Sequence, residues 1–434
     1  MFYLVLLFFI LYIFIIFKRL KKYKYNQKQD YIYKLQNYYI QTITIKNNKL
    51  QIPSNRPDTL FLEITLHNSF RTYFSKPYIE IDYIKHFFEF AANGVRYLNI
   101  SHIKEGVITD TNAIFNQEEI KLYGFNNQIQ QDLQTLIIAP HADDAELSAF
   151  GLYSWLKSVN IVTITAGENG VCNYCDIYED TESAALKKGE LRAFDAITTP
   201  LLGGLQLDDS LALGYFGSRL KDMRKEPHKE FYSYVKTIRS IKNFRKVSHS
   251  HIGLQENPSP TFNNLKKDLK EILLTTKPKI IVTPHPMIDS HPDHKESTYL
   301  LIELLLELNL EIKLLLYTNH LNISELYPHG EMGSSITLPP LFQEELLFDS
   351  IFSFELNKHK QRDKYFAIES MHDLRDSLLA ISLKKAFKLT QKLFKTSIMT
   401  KDKSYFRRAV RANELFFVVQ KRDTLELLLS QRME

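Results

Sequence analysis

Cysteine is nearly absent: Cys172 and Cys175 are the only two in 434 residues. Two are too few for a disulfide scaffold, and they fit a reducing compartment. As a CxxC pair they could serve redox chemistry or form half of a structural metal site. Without a second pair, loop cysteines holding no metal are the preferred reading. Internal repeats and low-complexity linkers are missing too, which excludes a solenoid or modules strung on tethers. Nor is a basic surplus spread over the chain. Lys18, Arg19, Lys21, Lys22, Lys24 and Lys28 sit together without an acid among them, and removing these six takes the formal net charge from +5 to −1. The basic balance reports a local tail, so nucleic acid is not an expected partner. What is present is ordinary for a globular protein, 44% hydrophobic and 24% charged. The chain exceeds the usual size of one hydrophobic core, so several folded regions are expected.

Residues 1–17, MFYLVLLFFILYIFIIF, carry no charge and no helix breaker. With Leu20 they approach the roughly 20 residues that cross a bilayer. The basic run FKRLKKYK comes after the apolar stretch, the reverse of a cleavable signal peptide. The expectation is a transmembrane anchor over 1–20, with the positive-inside rule placing the body in the cytoplasm as a single-pass membrane protein. A buried core helix is the weaker alternative.

Residues 31–128 alternate aromatic and β-branched residues in short runs such as YYIQTITI, TLFLEITL and YIEIDYI, which predicts a small β-rich, sandwich-like domain. Asn47-Asn48 reads as a hairpin turn within it. Over 133–340 the apolar strands TLIIA, NIVTITA and KIIVT alternate with helical runs. That pattern predicts an α/β, Rossmann-like, mostly parallel sheet with helices on both faces. Ligand sites in such sheets lie at the carboxyl ends of the strands. Residues 341–434 read as a helical C-terminal region. Within it SLLAISLKKAFKLTQKLFK predicts a helix with a basic face, either docked on the body or lying on a membrane surface.

Two clusters carry the chemistry. Pro140-His141-Ala142-Asp143-Asp144-Ala145-Glu146 follows one strand, and His285-Pro286-Met287-Ile288-Asp289-Ser290-His291-Pro292-Asp293-His294 follows another. A histidine and a carboxylate three residues apart on a tight loop can converge on one cation while the carboxylate between them points elsewhere. Catalytic zinc usually takes three nitrogen or oxygen ligands from the protein and keeps a fourth position for water. The two clusters together supply that set.

His-Ala-Asp-Asp-Ala-Glu-Leu followed by His-Pro-Asp-His resembles the PIG-L/LmbE family of zinc-dependent N-acetylglucosaminyl deacetylases, over roughly 133–320. Looser echoes are Thr165-Ala166-Gly167-Glu168 and Leu207-Asp208-Asp209-Ser210-Leu211. The resemblance implies that His141, Asp144 and His294 bind zinc and that Asp143 is the general base. It implies that His291 steadies the oxyanion and helps protonate the departing amine, with Asp293 orienting it. The roles are chemically coherent: zinc lowers the pKa of its water to about 7, so a nearby carboxylate completes deprotonation. Two histidines and one aspartate also suit Fe2+ or another divalent ion.

The sequence departs from the family pattern in places. Ala142 replaces the usual proline without removing a ligand. Lys187 stands where the family commonly places a substrate-contacting arginine, and Asp208 aligns with an acidic residue used near the sugar. His285 sits close enough to line the site. Among the remaining histidines, His249 and His251 could form a strand-borne metal pair, but polar strand residues are the preferred reading, as loop positions are for His320 and His329. The expected function is deacetylation of an N-acetylhexosamine unit on a nucleotide sugar or a lipid-linked glycan intermediate. The rivals are a metallophosphoesterase and a membrane-anchored glycan-binding protein without turnover. If aspartates merely capped a helix, one of them would be explained but not two paired clusters.

Overall fold

The structure, a computed structural model, describes residues 20, 22–35, 38–45, 47–114, 118–170, 177–245, 252–342, 345–374 and 405–433. Cys172, Cys175, His249, His251 and the basic run 377–395 lie outside the described residues, as do residues 1–19.

The N-terminal part is built of β1 (Tyr39–Thr44), β2 (Lys49–Gln51), β3 (Thr59–Asn68), β4 (Tyr78–Ile81), β5 (Ile84–Phe87), β6 (Gly94–Asn99), β7 (Glu105–Thr111), β8 (Ala113–Ile114) and β9 (Glu119–Phe125). One antiparallel sheet has the order β1-β9-β3-β6, and the other has β2-β7-β4-β5. Their facing side chains, among them Ile43, Leu62, Ile64, Ile79, Ile81, Ile108 and Leu122, form one core, as alternation with period two requires. Asn47 and Asn48 do adopt positive φ, 52° and 58°. They do not close the expected hairpin, because β1 pairs with β9 while β2 pairs with β7. The turn instead carries the chain from one sheet to the other.

The larger sheet comprises β10 (Thr135–Ala139), β11 (Val159–Thr165), β12 (Ser210–Tyr215), β13 (Ile280–Pro284), β14 (Lys313–Tyr317), β15 (Ser350–Glu355) and β16 (Asn413–Val419), in the order β12-β11-β10-β13-β14-β16-β15. The helices are α1 (Asp144–Tyr153), α2 (Thr181–Thr198), α3 (Leu220–Lys225), α4 (Lys242–Arg245), α5 (Phe262–Thr276), α6 (Pro292–Glu307), α7 (Lys358–Ser370), α8 (Tyr405–Ala409) and α9 (Arg422–Ser430). Both faces of β10 are buried: Leu136 and Ile138 belong to the cluster containing α2, α5 and α6, while Ile137 and Ala139 join the cluster containing α1. A strand buried on both sides must be apolar throughout, hence TLIIA.

The expected fold class is corrected on three points. First, among the described residues no helix is long and apolar enough to cross a membrane, so the anchor expected over 1–20 and the single-pass cytoplasmic placement drawn from it are not supported; residues 1–19 of that expectation lie outside the described residues. The chain that follows is not a free juxtamembrane tail. Leu20, Tyr23 and Tyr25 pack with Phe90 and Leu326, and Lys24 donates from its amide to the Ile323 carbonyl and from its ammonium to the Asn322 carbonyl. Tyr31, Tyr33 and Leu35 are buried further along. The aromatics between the lysines bind this segment into a seam of the folded body. Second, the large sheet is mixed, since β16 runs antiparallel to both β14 and β15. Third, the region beyond 341 is not simply helical: its runs SIFSFE and NELFFVV are the two strands that complete that sheet.

Glu414 of β16 fastens these late elements to the early ones. Its carboxylate accepts the Gly151 and Leu152 amides of α1 at 2.8 and 2.9 Å. It also pairs with Lys364 of α7 at 2.7 Å, both side chains being 1% exposed. Breaking a buried pair strands the other charge, at a cost of about 3–5 kcal/mol. Lys364→Met should therefore lower stability by about that amount in urea unfolding. A shift within the scatter of a surface substitution would show that the pair does not hold the C-terminal strands in place.

Candidate active site

The chain runs outward from β10 to β11 to β12, then returns to the other side of β10 to make β13 and β14. The strand order therefore reverses between β10 and β13, and a crevice opens at their carboxyl ends. The loop after β10 carries His141 and Asp143, that after β13 carries Asp289 and His291, and that after β14 carries Asn319 and His320. The loops after β11 and β12 add Asn169 and Ser218.

Three atoms meet in the crevice. His141 Nδ1 lies 3.1 Å from His294 Nε2 and 3.2 Å from Asp144 Oδ2, and His294 Nε2 lies 3.1 Å from the same carboxylate oxygen. Bonds of about 2.0–2.1 Å to a tetrahedral cation would set neighbouring donors about 3.3 Å apart. The triangle therefore fits one ion. His291 also has a ring nitrogen close by: ligand atoms of His141, His291 and His294 all lie within 4.8 Å of one another.

Neighbouring polar side chains hold these ligand atoms in place. Asp289, fully buried, sets Oδ2 3.1 Å from His294 Nδ1. Its carboxylate also accepts the amides of His291, Asn319 and His320 at 3.0, 3.1 and 3.3 Å. Asn319 Nδ2 donates to Asp144 Oδ1 at 2.7 Å, leaving Oδ2 toward the triangle. Asp293 Oδ2 accepts the Ser218 amide at 2.6 Å and lies 3.3 Å from His141 Nε2. It thus braces His141 directly, while the His291 ring is fixed differently: its Nδ1 accepts the Asp293 amide at 3.2 Å, at the start of α6. That bond leaves Nε2 as the protonated nitrogen of a neutral ring.

Asp143 occupies the N-cap position of α1 yet makes no side-chain capping bond. Helix capping therefore does not account for it. Its Oδ1 lies 3.5 Å from Arg192 of α2. Burial raises its pKa, and the Arg192 charge opposes that rise. Asp143, Lys188, Arg192, His291, His320 and Tyr405 are among the side chains lining an adjoining cleft of about 450 Å³.

Three expected substrate contacts fall elsewhere. Lys187 projects from α2 into an ion pair with Glu190 at 2.8 Å, whereas Lys188 and Arg192, four apart on another face of the same helix, line the cleft. Asp208 precedes β12, at the amino end of a strand whose carboxyl end faces the site. His285 is wholly buried against Phe417, and burial pushes its pKa down to about 3. His329 is buried in the seam, its ring edge-on to Tyr23 and Tyr327. Asp289, Asn319 and Arg192 were missed by sequence reasoning. Asp289 was visible inside the second cluster, and the i, i+4 spacing of Lys188 and Arg192 was a usable signal. Nothing in the sequence tied Asn319 to Asp144.

Residues 136–305 match the family described as PIG-L: GlcNAc-PI de-N-acetylase, so the resemblance carried by the two motifs is shown for that segment. A search of curated proteins finds no match. Solved structures with a similar chain include N,N'-diacetylchitobiose deacetylase from Pyrococcus horikoshii, at 16% identity and TM-score 0.34, covering 66% of this chain and 84% of that one. The A40926 pseudoaglycone deacetylase Dbv21 gives 15% and 0.36, covering 66% and 98%. The hydratase GalB of Pseudomonas putida KT2440 gives 14% and 0.32, covering 67% and 98%. At these scores the likenesses do not decide the reaction.

The triangle has a measurable consequence. Burial disfavours a charged His141, but hydrogen bonds to Asp144 and Asp293 outweigh it and hold the pKa up to about 9. Asp144 and Asp289 overcome burial likewise to raise His294. A cation needs both rings unprotonated at the donor nitrogen. Metal binding at pH 7 should therefore release protons, and its affinity should rise with pH at least as far as about 9, where His141 loses its proton. Calorimetry in buffers of different ionisation enthalpy reads that release; none at pH 7 would place the metal elsewhere. Asp289→Asn should weaken metal binding by about 10–100-fold.

Proposed function

We propose that this chain is a divalent-metal hydrolase that removes the N-acetyl group from an N-acetylhexosamine unit. The observation that carries the reading is the closed triangle of His141, Asp144 and His294 beside Asp143, a carboxylate free of capping duty. Two imidazole nitrogens and one carboxylate oxygen suit zinc, and by donor type also iron. A cation held there supplies Lewis acidity to a water and to the amide carbonyl.

The chain's own residues do the rest. Asp143, its basicity raised by burial, takes the proton of the attacking water. His291 presents Nε2–H where charge grows on the carbonyl oxygen, as an oxyanion-hole donor must. Burial first, then the facing His141 and His294, push its pKa down to about 4, which keeps the ring a neutral donor. The amine leaves only when protonated, and both Asp143 and His291 line the cleft where it would form. Lys188, which lines the same cleft, supplies a donor for sugar hydroxyls. The cleft volume of about 450 Å³ is in the range of small-ligand sites. It takes the sugar unit whether the carrier is a nucleotide or a glycan intermediate.

A metallophosphoesterase needs carboxylates bridging a second ion. Among the described residues one group that could hold an ion is found, His141, His291 and His294, with no bridging carboxylate in it, which favours the single-ion reading.

Acetate release from N-acetylated sugar donors tests the proposal. Asp143→Ala should lower the rate by about 10²–10⁴-fold, the usual share of a general base, while keeping one metal per chain. Chelation should abolish release and metal return restore it. Undiminished release by Asp143→Ala would refute the base, and two ions per chain would point to the phosphoesterase.

A further inference from the structure

We propose that Asp373, which lies in the C-terminal region beyond the PIG-L-type segment, is a positioning residue that keeps Arg192 from closing on Asp143. The inference rests on the reading of Asp143 as the base. Arg192 is shared between two carboxylates: Nη1 bonds to Asp373 Oδ2, while Nη2 stands 3.5 Å from Asp143 Oδ1. The guanidinium is nearly buried and packs closely against Gly167, where even a Cβ would meet Arg192 Nε at 2.5 Å. Its position is set by the pull of the two acids.

Asp373 is itself held from behind. The short turn His372–Leu374 docks on α2 through Asp195, whose carboxylate accepts the His372 amide and meets the His372 ring nitrogen, each at 2.7 Å. The neighbouring Met371 is 1% exposed. Lys188, Arg192 and Asp195 follow one another at i, i+4 and i+7, one face of the helix, so the turn lies along the row that lines the cleft. Lys188 Nζ stands 3.9 Å from Asp373 Oδ1.

A guanidinium binds a carboxylate most tightly through two parallel bonds. With Asp373 gone, the fork of Arg192 has Asp143 as its nearest acid, and a two-bond grip would occupy the oxygens that must receive the proton of water. Asp373 therefore maintains the long 3.5 Å contact in place of a closed pair.

Asp373→Asn, Arg192→Gln and the double variant form a cycle that tests this. Asp373→Asn should lower kcat at least tenfold with KM changed less than threefold, metal content and Tm matching the parent protein. In the Arg192→Gln background the same change should cost nothing. An equal loss in both backgrounds, or a raised KM with kcat intact, would overturn the proposal, the latter by making Asp373 a substrate contact. A crystal structure of metal-loaded Asp373→Asn gives a readout without turnover. Arg192 closing on Asp143 with two bonds supports the inference, and an unmoved Arg192 sinks it. A parent protein that releases no acetate instead defeats the deacetylase reading alone.

Discussion

Two histidine nitrogens and a carboxylate oxygen stand 3.1–3.2 Å apart in a largely buried crevice, an arrangement that persists only with a proton or a cation among them. Without either, lone pairs would face one another where little water can separate them, and each polar group would carry its desolvation cost unrelieved. The reversal of strand order between β10 and β13 puts the two loops side by side. Their convergence follows from topology before any side chain is chosen.

Convergence alone would not aim the donors. That task falls to three neighbouring side chains: Asp289 behind His294, Asp293 behind His141, and Asn319, whose amide donates to Asp144. Asp289 also binds three backbone amides from the loops after β13 and β14. It therefore fixes the loop that carries His291 and the loop that carries Asn319 with one charge. Such a hub ties the metal-facing geometry to the sheet. An opening of the β14 loop would loosen Asp144 and His294 together, which is why metal affinity and local order should be coupled here.

The two ligand-bearing loops were legible because each is short, follows an apolar strand and concentrates rare residue types within a few positions. Arg192 was harder to see, since its partners Asp143 and Asp373 are distant in sequence and only packing joins them. Lys187 attracted attention by alignment, but one residue of helix is about 100° of rotation, and that rotation sends it to Glu190 while Lys188 enters the cleft. SIFSFE and NELFFVV are apolar runs too short for periodicity to separate strand from buried helix; their identity came from pairing with each other and with β14. The lysines after residue 17 read as a membrane flank because a sequence does not show what the neighbouring tyrosines pack against. Tyr23, Tyr31 and Tyr33 are buried in the folded body.

The family match ends at residue 305, but the site does not. β14 would be an edge strand if β16 did not pair with it, and Asn319 follows β14 directly. Arg408, just past α8's midpoint, donates to the Asn319 carbonyl at 3.1 Å and so holds from outside the same residue that holds Asp144 from within. Asp373 and Tyr405 complete the wall of the cleft. The segment that supplies the ligands is thus finished by a segment that supplies none. Because β16 is fixed to α1 through Glu414, the helix that begins with Asp144 is anchored at its far end by the same late strand. The C-terminal region is consequently a structural condition of the ligand geometry, and substitutions there should be judged by their effect on that geometry before they are classed as peripheral.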